Sequence, residues 1–99
     1  MADTGSRTPC DLVMRHACRL SILKDKAIML DYWTKSLTKE VIIGERGEGT
    51  NKERLLVKSE EEYTSPIVKL YKVESEYIIE TENSLYIVDA GIAAKRIDK

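Results

Sequence analysis

Between residues 10 and 21 the apolar positions are Cys10, Val13, Met14, Ala17, Cys18 and Leu20 or Ser21, spaced i, i+3, i+4, i+7. This spacing predicts a helix with one stripe turned to a core. Asp11, Arg15, His16 and Arg19 fall on its wet side, with Asp11 and Arg15 at ion-pair spacing. Thr8 is expected to cap the helix, with Pro9 at the first helical position, where its missing N–H costs nothing. Asp11 completes a box-like spacing. The helix is expected to end near Leu23, before Lys24-Asp25-Lys26.

From there the period of the pattern changes to two, the signature of strands. In 27–33, Ile28, Leu30 and Tyr32 alternate with Met29, Asp31 and Trp33, which predicts a first strand. Residues 34–38 form a connection with room for one helical turn. Further strands are expected at 40–46, 54–58, 67–73, 77–81 and 84–88. Gly47 and Gly49 mark a mobile hairpin loop, and Pro66 blocks pairing at its own position. The last two strands are apolar on both faces and meet at Glu82-Asn83. A two-residue connection there pairs Ile79 with Tyr86, Tyr77 with Val88, Ile78 with Ile87 and Glu80 with Leu85. Asn83 suits the positive φ that a tight hairpin calls for. A ribbon apolar on both faces belongs inside a packed core.

The expected fold is therefore α+β. An N-terminal amphipathic helix packs on a five- to six-stranded antiparallel sheet, curled toward a small SH3- or Sm-like barrel. Residues 1–7 are small and polar, so they read as a disordered lead-in to a single domain over 8–99. Ninety-nine residues suffice to bury a core without staples. Phe is absent, so Val, Ile, Leu, the tyrosines and Trp33 must fill it.

Charge changes this picture little. The formal net charge is −1, which counts against general phosphate-backbone binding. The first forty residues carry a slight excess of Lys and Arg and the remainder a slight excess of Asp and Glu, an asymmetry able to guide docking. Two cysteines make no disulfide framework, and no stretch reaches the roughly 18 apolar residues of a membrane span. An intracellular, reducing compartment (cytoplasm or nucleus) and no membrane association are the resulting expectations.

Candidate chemistry is sparse. Cys10, His16 and Cys18 could offer three zinc ligands, but two helical steps turn His16 roughly 200° from Cys18, and a closed site needs a fourth ligand. Cys10 near a helix start invites a nucleophile reading, yet no base shares its face, so two buried structural thiols are expected instead. The glycines of 44–52 are followed by a strand, without the Gly-Lys-Ser/Thr of a phosphate loop. Glu60, Glu61 and Glu62 lack the turn glycine and alternating oxygens of a Ca²⁺ loop and read as a solvated run. Trp33, Lys69, Tyr71, Lys72 and Tyr77 could form a basic, aromatic contact surface of the kind on which small barrels stack single-stranded bases, or which a protein partner covers.

The segments "EEYTSPIVKLYKVESEYIIETENSLYIV" (61–88) and "KAIMLDYW" (26–33) resemble small uncharacterised proteins of large double-stranded DNA viruses. The resemblance covers about half of the chain and carries over no activity and no functional residue. If the chain is viral, a virion or assembly component acting in the host cell fits an interaction-module reading. A helix followed by a strand meander is also similar to Sm and SH3-like barrels. The Sm-type Asp-x-x-Met-Asn loop is missing, so that likeness concerns architecture alone.

With one histidine, no convergent acid–base set and no cofactor loop, the expectation is a non-catalytic interaction or assembly module without a cofactor. It would bind a protein partner, or a second copy as a homo-oligomer, through its sheet edges. The alternative is a small-barrel nucleic-acid binder.

Overall fold

The computed structural model describes residues 8–97. The lead-in 1–7, for which disorder is expected, lies outside the described residues. The amphipathic stripe forms α1 (Asp11–Lys24), starting later than Thr8 and Pro9 suggest: Cys10, not Thr8, is the N-cap, and its side chain makes no capping bond. The chain ends α1 at Asp25, in the left-handed region at φ 57. There follow β1 (Ala27–Met29), α2 (Trp33–Leu37), β2 (Ile42–Arg46), β3 (Glu53–Val57), β4 (Ile67–Val73), β5 (Glu76–Thr81), β6 (Ser84–Asp89) and β7 (Ala93–Arg96).

The architecture is α+β, as the pattern predicts, but the sheet is neither single nor a closed barrel. One sheet has the order β1-β6-β5-β4 and a second the order β3-β2-β7. Both are mixed, because β1 runs parallel to β6 and β2 parallel to β7. These two parallel pairings join segments far apart in the chain, and that is why a purely antiparallel meander does not form.

The first expected strand is also shorter than 27–33. Only 27–29 pair; Tyr32 and Trp33 are then buried on different sides of the four-stranded sheet by the turn of α2. Ser36 ties this turn down, accepting the Asp89 N–H at 3.0 Å while donating to the Trp33 carbonyl at 2.6 Å. The expected one-turn connection is thus a short helix docked on β6.

The β5–β6 hairpin has the predicted register, with Tyr77 opposite Val88, Ile78 opposite Ile87, Ile79 opposite Tyr86 and Glu80 opposite Leu85. Its turn is made differently from the expectation: neither Glu82 nor Asn83 has positive φ. Instead the Thr81 hydroxyl accepts the Ser84 N–H at 3.2 Å. The hairpin lies buried on both faces. Ile78, Leu85 and Ile87 pack with Val13 and Ala17 of α1 and with Trp33. Ile79 and Val88 pack with Ile43 and Leu56 of the second sheet, with Val41 just before β2, with Tyr32 and with Ile92. Three layers result, α1 on one face of the four-stranded sheet and the three-stranded sheet on the other.

Candidate functional site

Glu76, Ile78 and Glu80 alternate along β5 and so share the face under α1. Both carboxylates are buried, at 1% and 2% exposure, and each holds one end of the helix. Glu76 Oε1 accepts the Cys10 N–H at 3.2 Å, doing from a distance what a capping side chain would do locally. At the other end the left-handed Asp25 reverses the chain so that Lys26 Nζ reaches Glu80 Oε2 at 2.7 Å and the Thr81 carbonyl at 2.7 Å. Lys24 lies 3.8 Å from the same carboxylate. The hydrogen bond from Lys26 holds the Glu80 carboxyl below the usual carboxylate range despite its desolvation.

These anchors set α1 over β5, β6 and β1, with β4 at the rim of its cover, where Tyr71 and Val73 are half-buried against the α1 core. Tyr71 and Val73 of β4 face the helix side, because they pair with Ile78 and Glu76. The gap between α1 and β4 is an apolar groove of about 140 Å³. Tyr71, Val73 and Ile78 form its floor; Leu20 and Leu23, with His16 and Arg19, form its helical wall. Tyr71 is held in place by its hydroxyl, 3.4 Å from Glu80 Oε1. Burial and then the Glu80 charge push its phenol above the ordinary value. Lys69 Nζ lies 5.4 Å from the same ring.

Beyond the groove the sheet stops. β4 is the last strand in the order β1-β6-β5-β4, so among the described residues its outer backbone groups have no strand partner. A register shift between Ile67 and Lys69 leaves Val68 63% exposed and confines the regular edge to 69–73.

The structure separates the five residues expected to form a contact surface. Lys69 and Tyr71 are together on the helix side of β4. Lys72 and Tyr77 face each other on the opposite side, where Tyr77 packs half-buried against the second core. Trp33 is 5% exposed, inside the α1 core. Leu20, Leu23 and Arg19 had no part in the expected contact surface, although Leu12, His16, Leu20 and Leu23 make a second stripe on α1 at i, i+4, i+8, i+11.

Other candidates yield less. A groove of about 670 Å³ on the outer face of the three-stranded sheet has Ile42, Leu55, Val57 and Ile97 among its lining residues. Its basic groups are already engaged, Arg46 with Glu53 at 3.0 Å and Lys58 with Glu62 at 3.7 Å. The thiols depart from the expected buried pair: Cys10 is half-buried and Cys18 exposed, because Ala17, one helical step away, sits at the centre of the buried stripe. Among the described residues no three His, Cys, Asp or Glu side chains gather as a metal site would require, and no helix is long and apolar enough to cross a membrane. The chain matches no protein-family model, and the searches of curated proteins and of solved structures return no match.

Proposed function

We propose that the protein is a non-catalytic interaction module that binds an extended polypeptide segment by adding it as a strand to β4. The observation that carries this reading is the pairing of an open strand edge with an adjoining apolar groove. In an antiparallel ladder every second residue turns its N–H and C=O outward, so an added strand gains main-chain hydrogen bonds. Its alternate side chains then point to the groove side, where Tyr71, Val73 and Leu23 offer apolar surface. Backbone pairing supplies affinity and the groove supplies selectivity.

Self-association through the same edge is the weaker use of it. Two β4 strands paired with each other would bring both copies' Lys69 and Lys72 onto one ribbon, and edge lysines oppose such pairing. The split of Trp33, Lys72 and Tyr77 away from Tyr71 equally removes the continuous aromatic platform that base stacking would use.

Selection from a displayed library of random twelve-residue peptides, followed by amide chemical-shift mapping of the best binder, tests this reading. Shifts concentrated at 69–73 with the protein monomeric in light scattering are expected. Shifts confined to another surface, no selected peptide, or an oligomer that already protects the 69–73 amides would remove it.

A further inference from the structure

The chemistry around the groove narrows what the β4 edge accepts. Its helical wall carries Arg19 and His16, and Lys69 stands over the ring of Tyr71 in its floor. Lys72 lies on the other face of the same edge, opposite Tyr77. Arg19 and Lys72 are exposed and, among the described residues, make no ion pair or hydrogen bond, and Lys69 has only its contact with the Tyr71 ring. Of the carboxylates of this region, Glu76 and Glu80 are buried and committed to α1 and to Lys26, while Glu74, in the turn just past the end of β4, is exposed. The open surface therefore presents cations on both faces of the edge, although the whole chain is formally −1.

The apolar space between those cations is small. About 140 Å³ is close to the cavity volume that takes up a single benzene molecule, so it seats one side chain and not a row of them. Leu23, 72% exposed, forms one wall of this seat without belonging to the core.

Resting on the strand-addition reading, we infer that the ligand is an extended acidic segment with one large apolar residue that enters the groove between α1 and β4. In a strand, that residue's immediate neighbours point to the opposite face, toward Lys72. The residues two positions away return to the groove side, toward Lys69 and Arg19. Carboxylates at both kinds of position meet a cation that has no ion pair among the described residues. Such rim charges act on encounter and on discrimination, so the complex weakens as salt rises.

The test uses the full chain and a fluorescein-labelled ten-residue peptide in which Glu surrounds a single central Leu, read by fluorescence anisotropy. Two control peptides replace every Glu by Lys, or the central Leu by Gly. The Glu–Leu peptide is expected to bind, and either control to bind at least roughly tenfold more weakly. Leu23→Asp and the double variant Arg19→Glu with Lys69→Glu should each lose a similar factor while melting like the parent, since all three side chains are exposed. Equal binding of the Lys peptide, unchanged affinity in both variants, or displacement of the peptide by a single-stranded oligonucleotide would each overturn the inference. If the Glu–Leu peptide fails but a selected peptide of other composition shifts the 69–73 amides, strand addition stands and only the ligand class falls. If no peptide shifts them, both fall.

Discussion

On its α1 side the four-stranded sheet is held by aliphatic packing and by two buried carboxylates, Glu76 and Glu80. On the side of the three-stranded sheet it is held by Ile79, Val88, Val41, Ile43 and Leu56, with Tyr32 and Tyr86 ring to ring at 5.2 Å. The first kind of attachment fixes direction. A capped helix end and a lysine reaching one carboxylate set the direction of α1, and in that placement β4 lies at the rim, only partly covered. The second kind fixes only proximity, since apolar contact is non-directional. A groove with a defined wall thus occurs on the face where polar anchors position the helix.

The largest expected effect comes from breaking the apolar side. Ile79 is fully buried among Val41, Leu56 and Val88. Ile79→Ala should destabilise by about 2–5 kcal/mol, the lost transfer energy plus the cavity left behind. Urea unfolding at neutral pH measures it. A loss below about 1 kcal/mol would mean that the two sheets are not tightly packed there.

Next comes the polar side. Glu80→Gln should cost about 2 kcal/mol, because Lys26 loses its ionic partner at a site mostly closed to water. Lys26 retains the Thr81 carbonyl and some access to solvent, so the loss stays below that of a fully buried broken pair. The sign with pH is definite. The folded-state pKa of Glu80 is depressed, so its contribution is present above the unfolded value of about 4.3 and is lost as pH falls through the folded value. The parent should therefore lose stability on acidification below about pH 4 more steeply than Glu80→Gln does. Parallel acid limbs in the two proteins would show that Lys26 and Glu80 are not coupled in solution.

What could be read from the chain follows the same division. The β5–β6 register is legible because seven of its apolar residues alternate on a two-sided ribbon, and a slip by one would trade the two cores. β7 has no such mark: Ala93, Ala94, Lys95 and Arg96 are all exposed, and the strand exists only because β2 accepts it in parallel. Tyr32 and Trp33 alternate as a strand would, and it is the α2 turn, fixed by Ser36 against β6, that buries both. Of the candidate site, Lys69 and Tyr71 follow from their positions on β4. Leu23 and Arg19 join them only through the placement of α1, and that depends on Glu76 and Glu80 being buried, where the charge pattern alone suggests water.

The smallest effect sharpens the comparison from the alkaline end. Burial, reinforced by the charges of Tyr86 and Asp31, pushes the Tyr32 phenol up to about 12. Its folded value is above the unfolded one of about 10, so folding favours the neutral ring. The associated stability is complete below about pH 10 and falls as pH rises toward the folded value. Tyr32→Phe removes that titration and leaves the ring contact with Tyr86 in place. It should change neutral stability by no more than about 1 kcal/mol while making the fall between about pH 10 and 12 shallower. Thermal melts across that range, set beside those of Glu80→Gln, separate the two faces: acid loosens the helix side first, and alkali the side of the second sheet. An alkaline limb as steep in Tyr32→Phe as in the parent would mean that Tyr86 or Tyr71, whose phenols are also raised by burial, carries the alkaline response instead.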